Sequence, residues 1–145
     1  MAIATSISSA QVFVSRSRRR IRAFGVLATV VGALVVWTIE GPILGARMEV
    51  PQNGTVEHIT WDRVLFVSTL VSLLGWGLLT VLERVAARYA RAIWTVPAVL
   101  LLLVSFYKPF FNPGVTLGTR VGLSIIHITV AAILMTVMRQ TAKSS

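Results

Sequence analysis

The stretch Val64 to Arg91, VLFVSTLVSLLGWGLLTVLERVAARYAR, constrains the chain more than any other. Its uncharged apolar part has about the 20 residues that a helix needs to cross a bilayer, and it then turns basic at Arg84, Arg88 and Arg91. Such a stretch is expected to be a membrane-spanning helix with a cytoplasmic end, its helical pattern continuing through the basic residues to Arg91. Three further apolar runs flank it, so the spans are expected at about 24–44, 64–83, 93–111 and 121–138. The first run is longer than the roughly 7 to 15 residues of a secretory signal core, and no A-x-A site follows it.

Composition agrees with one membrane domain over residues 23–140. Hydrophobic residues make up 55% of the 145 and charged residues 13%, well below the roughly 25% of soluble domains. Residues 1–22 and 141–145 are the expected cytoplasmic tails, with Met1 to Val14 poorly ordered because they show no consistent period. The absence of cysteine removes disulfides, thiolate metal sites and dithiol redox chemistry.

The net charge of +9 is unevenly placed. Arg16, Arg18, Arg19, Arg20, Arg22, Arg84, Arg88, Arg91, Arg139 and Lys143 fall on the inner side of the expected spans against Glu83. On the outer side Arg47, Arg63, Lys108 and Arg120 are offset by Glu40, Glu49, Glu57 and Asp62. This positive-inside pattern is expected to place both termini in the cytoplasm. It also makes Arg18, Arg19, Arg20, Arg84 and Arg88 candidate contacts to anionic lipid heads. Nucleic acid is excluded, since no basic stretch is interleaved with stacking aromatics.

Between the first two spans, GARMEV and TVEHIT flank Pro51-Gln52-Asn53-Gly54, which predicts a β-hairpin outside the membrane. Asn53-Gly54-Thr55 also matches a glycosylation acceptor, which matters only in a eukaryote. Gly25, Thr29, Gly32, Val36 and Glu40 form one helical stripe, and Ser68, Ser72, Gly75, Leu79 and Glu83 another; the two are expected to pack together. Glu40, beside Gly41-Pro42, is expected at a solvated helix end. Trp37 and Trp94 are expected near the outer and inner interfaces, and Trp76 in the packing between helices. Tyr107, Lys108, Phe110 and Phe111 form an outer aromatic girdle, ended by Asn112-Pro113-Gly114.

An ionisable residue inside a span is a functional candidate by default. His127 lies about 10 Å below the outer end of the fourth span. With Ser124, Ser72 and Ser105 it is expected to line a small polar cavity that binds a ligand or relays protons; the alternative is that His127 only bonds a neighbouring helix. No metal site is expected: Glu57 and His58 are adjacent on a strand, His127, Asp62 and Glu40 are scattered, and no H-x-x-x-H or H-E-x-x-H spacing occurs. G-x-S-x-G and phosphate-binding loops are absent, so neither an enzyme nor a cofactor is expected. Four-helix multidrug exporters match poorly, because they need a carboxylate well inside the first span.

GWGLLTVLER at Gly75 to Arg84, the W-x-x-P of Trp94 to Pro97, and the His127 span follow in that order. With them the chain resembles a family of small actinobacterial four-span membrane proteins known only as a domain of unknown function. The resemblance covers most of Arg20 to Met138. It implies a bacterial plasma membrane and four spans, and no activity or site residues. The fold expected is an all-α, left-handed four-helix membrane bundle with a short extracytoplasmic hairpin. Its expected role is that of a non-enzymatic accessory subunit, joined to a membrane protein or to its own copies, or of a binder of a lipid or small apolar ligand. The alternative is an oligomeric transporter or channel using His127.

Overall fold

The computed structural model describes residues 2–46, 48–52, 54–111 and 113–142, with side chains except at 2–15, 52 and 108. The expectations for Arg47, Asn53, Asn112, Lys143 and the Lys108 side chain lie outside what is described. The elements are helix α1 (Ala2–Thr38), a π-helical turn (Ile39–Ile43), strands β1 (Glu49–Gln52) and β2 (Thr55–His58), then helices α2 (Trp61–Val85), α3 (Ala90–Ser105), α4 (Tyr107–Phe111) and α5 (Leu117–Thr141). Among the described residues, four helical stretches are long and apolar enough to cross a membrane: Arg16–Ile43, Trp61–Val85, Ala90–Phe111 and Leu117–Thr141. The expected spans overlap them one for one.

The element ends differ from expectation for physical reasons. The first 14 residues, expected to be disordered, continue α1 as helix from Ala2. That stretch has no glycine or proline to stop a helix propagating backwards from the first span. At the other end of α1, Pro42 lacks an N–H. The ladder there lengthens, with Leu44 N–H bonding Ile39 O at 2.9 Å and Ala46 N–H bonding Glu40 O at 3.0 Å, before Gly45 turns the chain at φ 68°. The expected helical continuation to Arg91 is also corrected. Helix α2 stops at Val85, Ala86 adopts φ −141° and ψ 55°, and α3 begins at Ala90. Ala90 and Trp94 are then buried, Trp94 against Leu79, Leu134 and Met138, so tertiary packing overrides local helical pattern. Further on, Pro109 offers no N–H to Ser105, and the third apolar stretch breaks at Phe106 into α3 and α4.

The two strands pair antiparallel from Glu49 opposite His58 to Gln52 opposite Thr55, leaving Asn53-Gly54 as a two-residue connection with Gly54 at φ 81°. Only a residue tolerant of positive φ closes so tight a hairpin. The hairpin docks on the helices: Trp37 Nε1 donates to Ile59 O at 2.9 Å, and Ile59 N–H to Met48 O at 2.8 Å. Trp37 thus has its indole N–H bonded to backbone at the base of the hairpin.

Buried apolar residues form two clusters. Ala33, Met48, Val64 and Ile126 lie at the hairpin end, and Leu79, Trp94, Leu134, Met138 and Ala142 at the opposite end. Trp76 packs on the second cluster. The glycines of α1 lie against α5, where a Cβ at Gly25 would stand 2.5 Å from Val137 Cγ1 and one at Gly32 3.0 Å from Ile133 Cδ1, while α1 also packs along α2. Gly75 of α2 likewise meets Leu134 of α5, at 3.3 Å. Gly25, Gly32 and Gly75 thus use their missing side chains for close approach to α5.

A cleft between three helices as the candidate functional site

Helices α2, α3 and α5 do not close on one another along their whole length, and a cavity of about 530 Å³ lies between them. Its wall is mostly aliphatic. Val67, Leu74 and Leu78 on α2 and Leu101 on α3 line it and are at the same time exposed on the outside of the helices, so the cavity is a cleft with an apolar rim. The far wall is α5, from Leu123 to Met135.

Apart from the Trp94 indole, the polar side chains that line the cleft lie in the half nearer the hairpin. Arg63 and Ser68 come from the first turns of α2, Ser105 from the last turn of α3, and His127 from the first half of α5. His127 Nδ1 is 2.6 Å from Leu123 O. A carbonyl oxygen only accepts, so Nδ1 carries the proton. Ser105 donates to Leu102 O at 2.6 Å, and Ser68 to Val64 O at 2.6 Å. The indole N–H of Trp94, at the other end of the cleft, donates to Gly75 O at 2.8 Å. Trp94 is therefore a buried tie between α3 and α2, in the first turns of α3.

Of the four residues expected to line a polar cavity together, the structure brings His127 and Ser105 to one cleft. Ser72 is fully buried, does not line it, and its Oγ has no hydrogen-bond partner among the described residues. Ser124 also lies off the cleft, with its hydroxyl bonded to Arg120 O at 2.7 Å. The cleft is also far less polar than expected, since most of its wall is aliphatic. Among the described residues His127 bonds only to its own helix, at Leu123 O, with the Phe106 ring 6.1 Å away.

The charged candidates separate into two groups. Arg19, Arg20, Arg84 and Arg88 are exposed and Arg18 is partly so, all at the end opposite the hairpin. Arg88 lies over the Tyr89 ring at 5.7 Å. Arg22, by contrast, is buried and fully bonded to Glu83 and Thr141. At the hairpin end Glu57 pairs with Arg63, and His58 Nδ1 lies 3.5 Å from Glu49.

Glu40 departs most from expectation. It is 8% exposed, held by the π-helical turn so that its carboxylate rests against Gly122 and Met48. The solvated helix end expected of it is therefore corrected. Neither the Arg22–Glu83 pair nor the burial of Glu40 was singled out in the sequence. Glu83 standing alone among basic residues was a signal for the first, and Glu40 at the end of a small-residue stripe was one for the second.

A profile described as a family of unknown function, DUF6069, matches residues 13–144, which includes every helix that lines the cleft. No curated protein and no solved structure matches the chain.

Proposed function

We propose, from the premise that the chain belongs to the DUF6069 family of unknown function, that it is a multi-pass membrane protein that binds an apolar molecule in the cleft between α2, α3 and α5 and carries out no chemistry on it. The observation that carries this reading is the cleft: a volume of about 530 Å³ within the range of ligand sites, walled by aliphatic side chains and rimmed by exposed ones. In a bilayer the rim residues Leu74, Leu78 and Leu101 face acyl chains, so a ligand enters sideways from the membrane.

The accompanying topology has the four apolar helices crossing a bacterial plasma membrane as a bundle, with the hairpin outside and both termini in the cytoplasm. It is supported by Arg16 to Arg20, Arg84, Arg88, Arg91 and Arg139, which gather at the end opposite the hairpin. The exposed members Arg19, Arg20, Arg84 and Arg88, with Arg18, reach anionic lipid heads there.

A photoreactive side chain at Leu101, compared with one at Leu103 on another face of α3, tests the reading in the native membrane. A single defined adduct at 101 and a mixture of bulk lipids at 103 is the expected result. The same mixture at both positions overturns it.

Glu40 favours a second reading, a small oligomeric transporter. An ionisable side chain buried within a membrane span is a functional candidate in its own right, and the π-helical turn at the end of the first span holds Glu40 buried. That reading requires a substrate or proton flux in liposomes that Glu40→Gln or His127→Ala abolishes.

A further inference from the structure

Resting on the cleft as a ligand site, the hydrogen-bond bookkeeping inside it narrows the ligand class. Each polar side chain that lines the cleft beyond Arg63 has its proton committed to helix backbone. Ser68 donates to Val64 O, Ser105 to Leu102 O, Trp94 to Gly75 O, and His127 through Nδ1 to Leu123 O. What the two hydroxyls retain is lone pairs. In its neutral form His127 retains the same, because a ring protonated on Nδ1 leaves Nε2 as an acceptor, and Nε2 has no partner among the described residues. The cation at the mouth is not free either, since Arg63 is paired with Glu57. The wall thus accepts hydrogen bonds and offers no uncompensated positive charge.

The acceptors also sit at one end. Ser68, Ser105 and His127 belong to the hairpin half, and the remainder, toward Leu78, Trp94 and Leu134, is apolar. From Arg63 to Leu78 the α2 wall is about 22 Å long at 1.5 Å per residue, longer than half the hydrocarbon thickness of a bilayer. A short solute leaves most of that length empty; an acyl-length chain follows it.

We infer that the cleft takes an uncharged lipid alcohol, with its chain along the apolar half and its hydroxyl donating to Nε2 of His127 near the hairpin end. A fatty acid or phospholipid head is disfavoured, because a carboxylate or phosphate brings only acceptors to the lone pairs of Ser68, Ser105 and His127, and the one cation at the mouth, Arg63, is already paired with Glu57.

The test uses the full chain in phosphatidylcholine nanodiscs and three chain-brominated probes of equal length: stearyl alcohol, its methyl ether, and stearic acid. Quenching of tryptophan fluorescence reports binding, and the part lost in Trp94→Phe identifies the cleft. The alcohol is expected to bind about tenfold more tightly than the ether, the difference one hydrogen bond makes. His127→Leu is expected to bring the alcohol to the level of the ether in the same variant. Equal affinity of alcohol and ether in the unsubstituted protein overturns the inference while leaving an apolar binder, and tighter binding of the acid overturns it in favour of Arg63 as the anchor. Absence of Trp94-dependent quenching by all three overturns the inference together with the ligand-binding reading. The alcohol–ether comparison needs no variant, so it stands even where His127→Leu fails to fold.

Discussion

Arg22 and Glu83, 61 residues apart in the chain, meet as a two-point ion pair: Nη1 to Oε2 at 3.1 Å and Nη2 to Oε1 at 2.6 Å. Thr141 completes the arrangement, accepting Nε on its hydroxyl at 3.0 Å and Nη2 on its carbonyl at 2.8 Å. One guanidinium thereby joins α1, α2 and α5 at the end opposite the hairpin. The side chains are 5% and 9% exposed, so water does little to screen or replace the pair.

Breaking that pair from one side leaves the other charge buried. Glu83→Ala is expected to destabilise the protein by about 3–5 kcal/mol, whereas the double change Arg22→Met with Glu83→Leu recovers much of the loss. Thermal unfolding in detergent micelles measures both. A double variant no more stable than the single one contradicts this account of the pair.

The contact between Gly25 and α5 leaves no room for a side chain. A Cβ there would stand 2.5 Å from Val137 Cγ1, so Gly25→Ala is expected to cost about 1–3 kcal/mol through overpacking. Val137→Ala in the same chain should return most of it, because the collision is with that side chain. Additive losses in the double variant would show that Gly25 matters for some other reason.

Trp94 ties α3 to α2 through one bond, Nε1 to Gly75 O at 2.8 Å, and fills the cluster with Leu79 and Met138. Trp94→Phe keeps an aromatic ring and removes the bond, with an expected loss of about 0.5–1.5 kcal/mol. Trp94→Ala also opens a cavity, and about 3–5 kcal/mol is expected. Near-identical melting of the two variants would place the stabilisation in the hydrogen bond alone.

Glu40 rests against Gly122 with no hydrogen bond to its carboxylate among the described residues. A charge buried in this way with no partner among the described residues is costly, so Glu40→Gln is expected to raise the melting temperature at neutral pH. Gly122→Ala acts on the same spot from the α5 side: its methyl group displaces the flexible ends of Glu40 and Met48, and solvent exposure of residue 40 should increase. A lower melting temperature for Glu40→Gln would mean that the carboxylate makes a favourable interaction.

What was legible in the sequence was what local pattern controls. Uninterrupted apolar runs of span length mark the four long helices, and alternation around Asn53-Gly54 marks the hairpin, because these depend on residues within a few positions of one another. The rest depends on partners far away in the chain. Arg22 looked like one more basic residue in SRSRRRIR until Glu83 and Thr141 were brought beside it. Glu40 looked solvated until a π-helical turn and a glycine 82 positions later gave it a buried seat. The same holds in the cleft: His127 and Ser105 share it, but Ser72 and Ser124 lie at comparable depth on faces turned away. Depth is readable from position in a span, whereas facing is set by how three helices pack.

The central claim, that the cleft holds an apolar molecule, is tested most directly by native mass spectrometry of the protein extracted gently from its own membrane. The account predicts one stoichiometric adduct of lipid size, lost when Ala131→Phe fills the cleft from α5. Bare protein alone, an adduct that survives Ala131→Phe in the folded variant, or a stoichiometric second polypeptide in place of the adduct would contradict it.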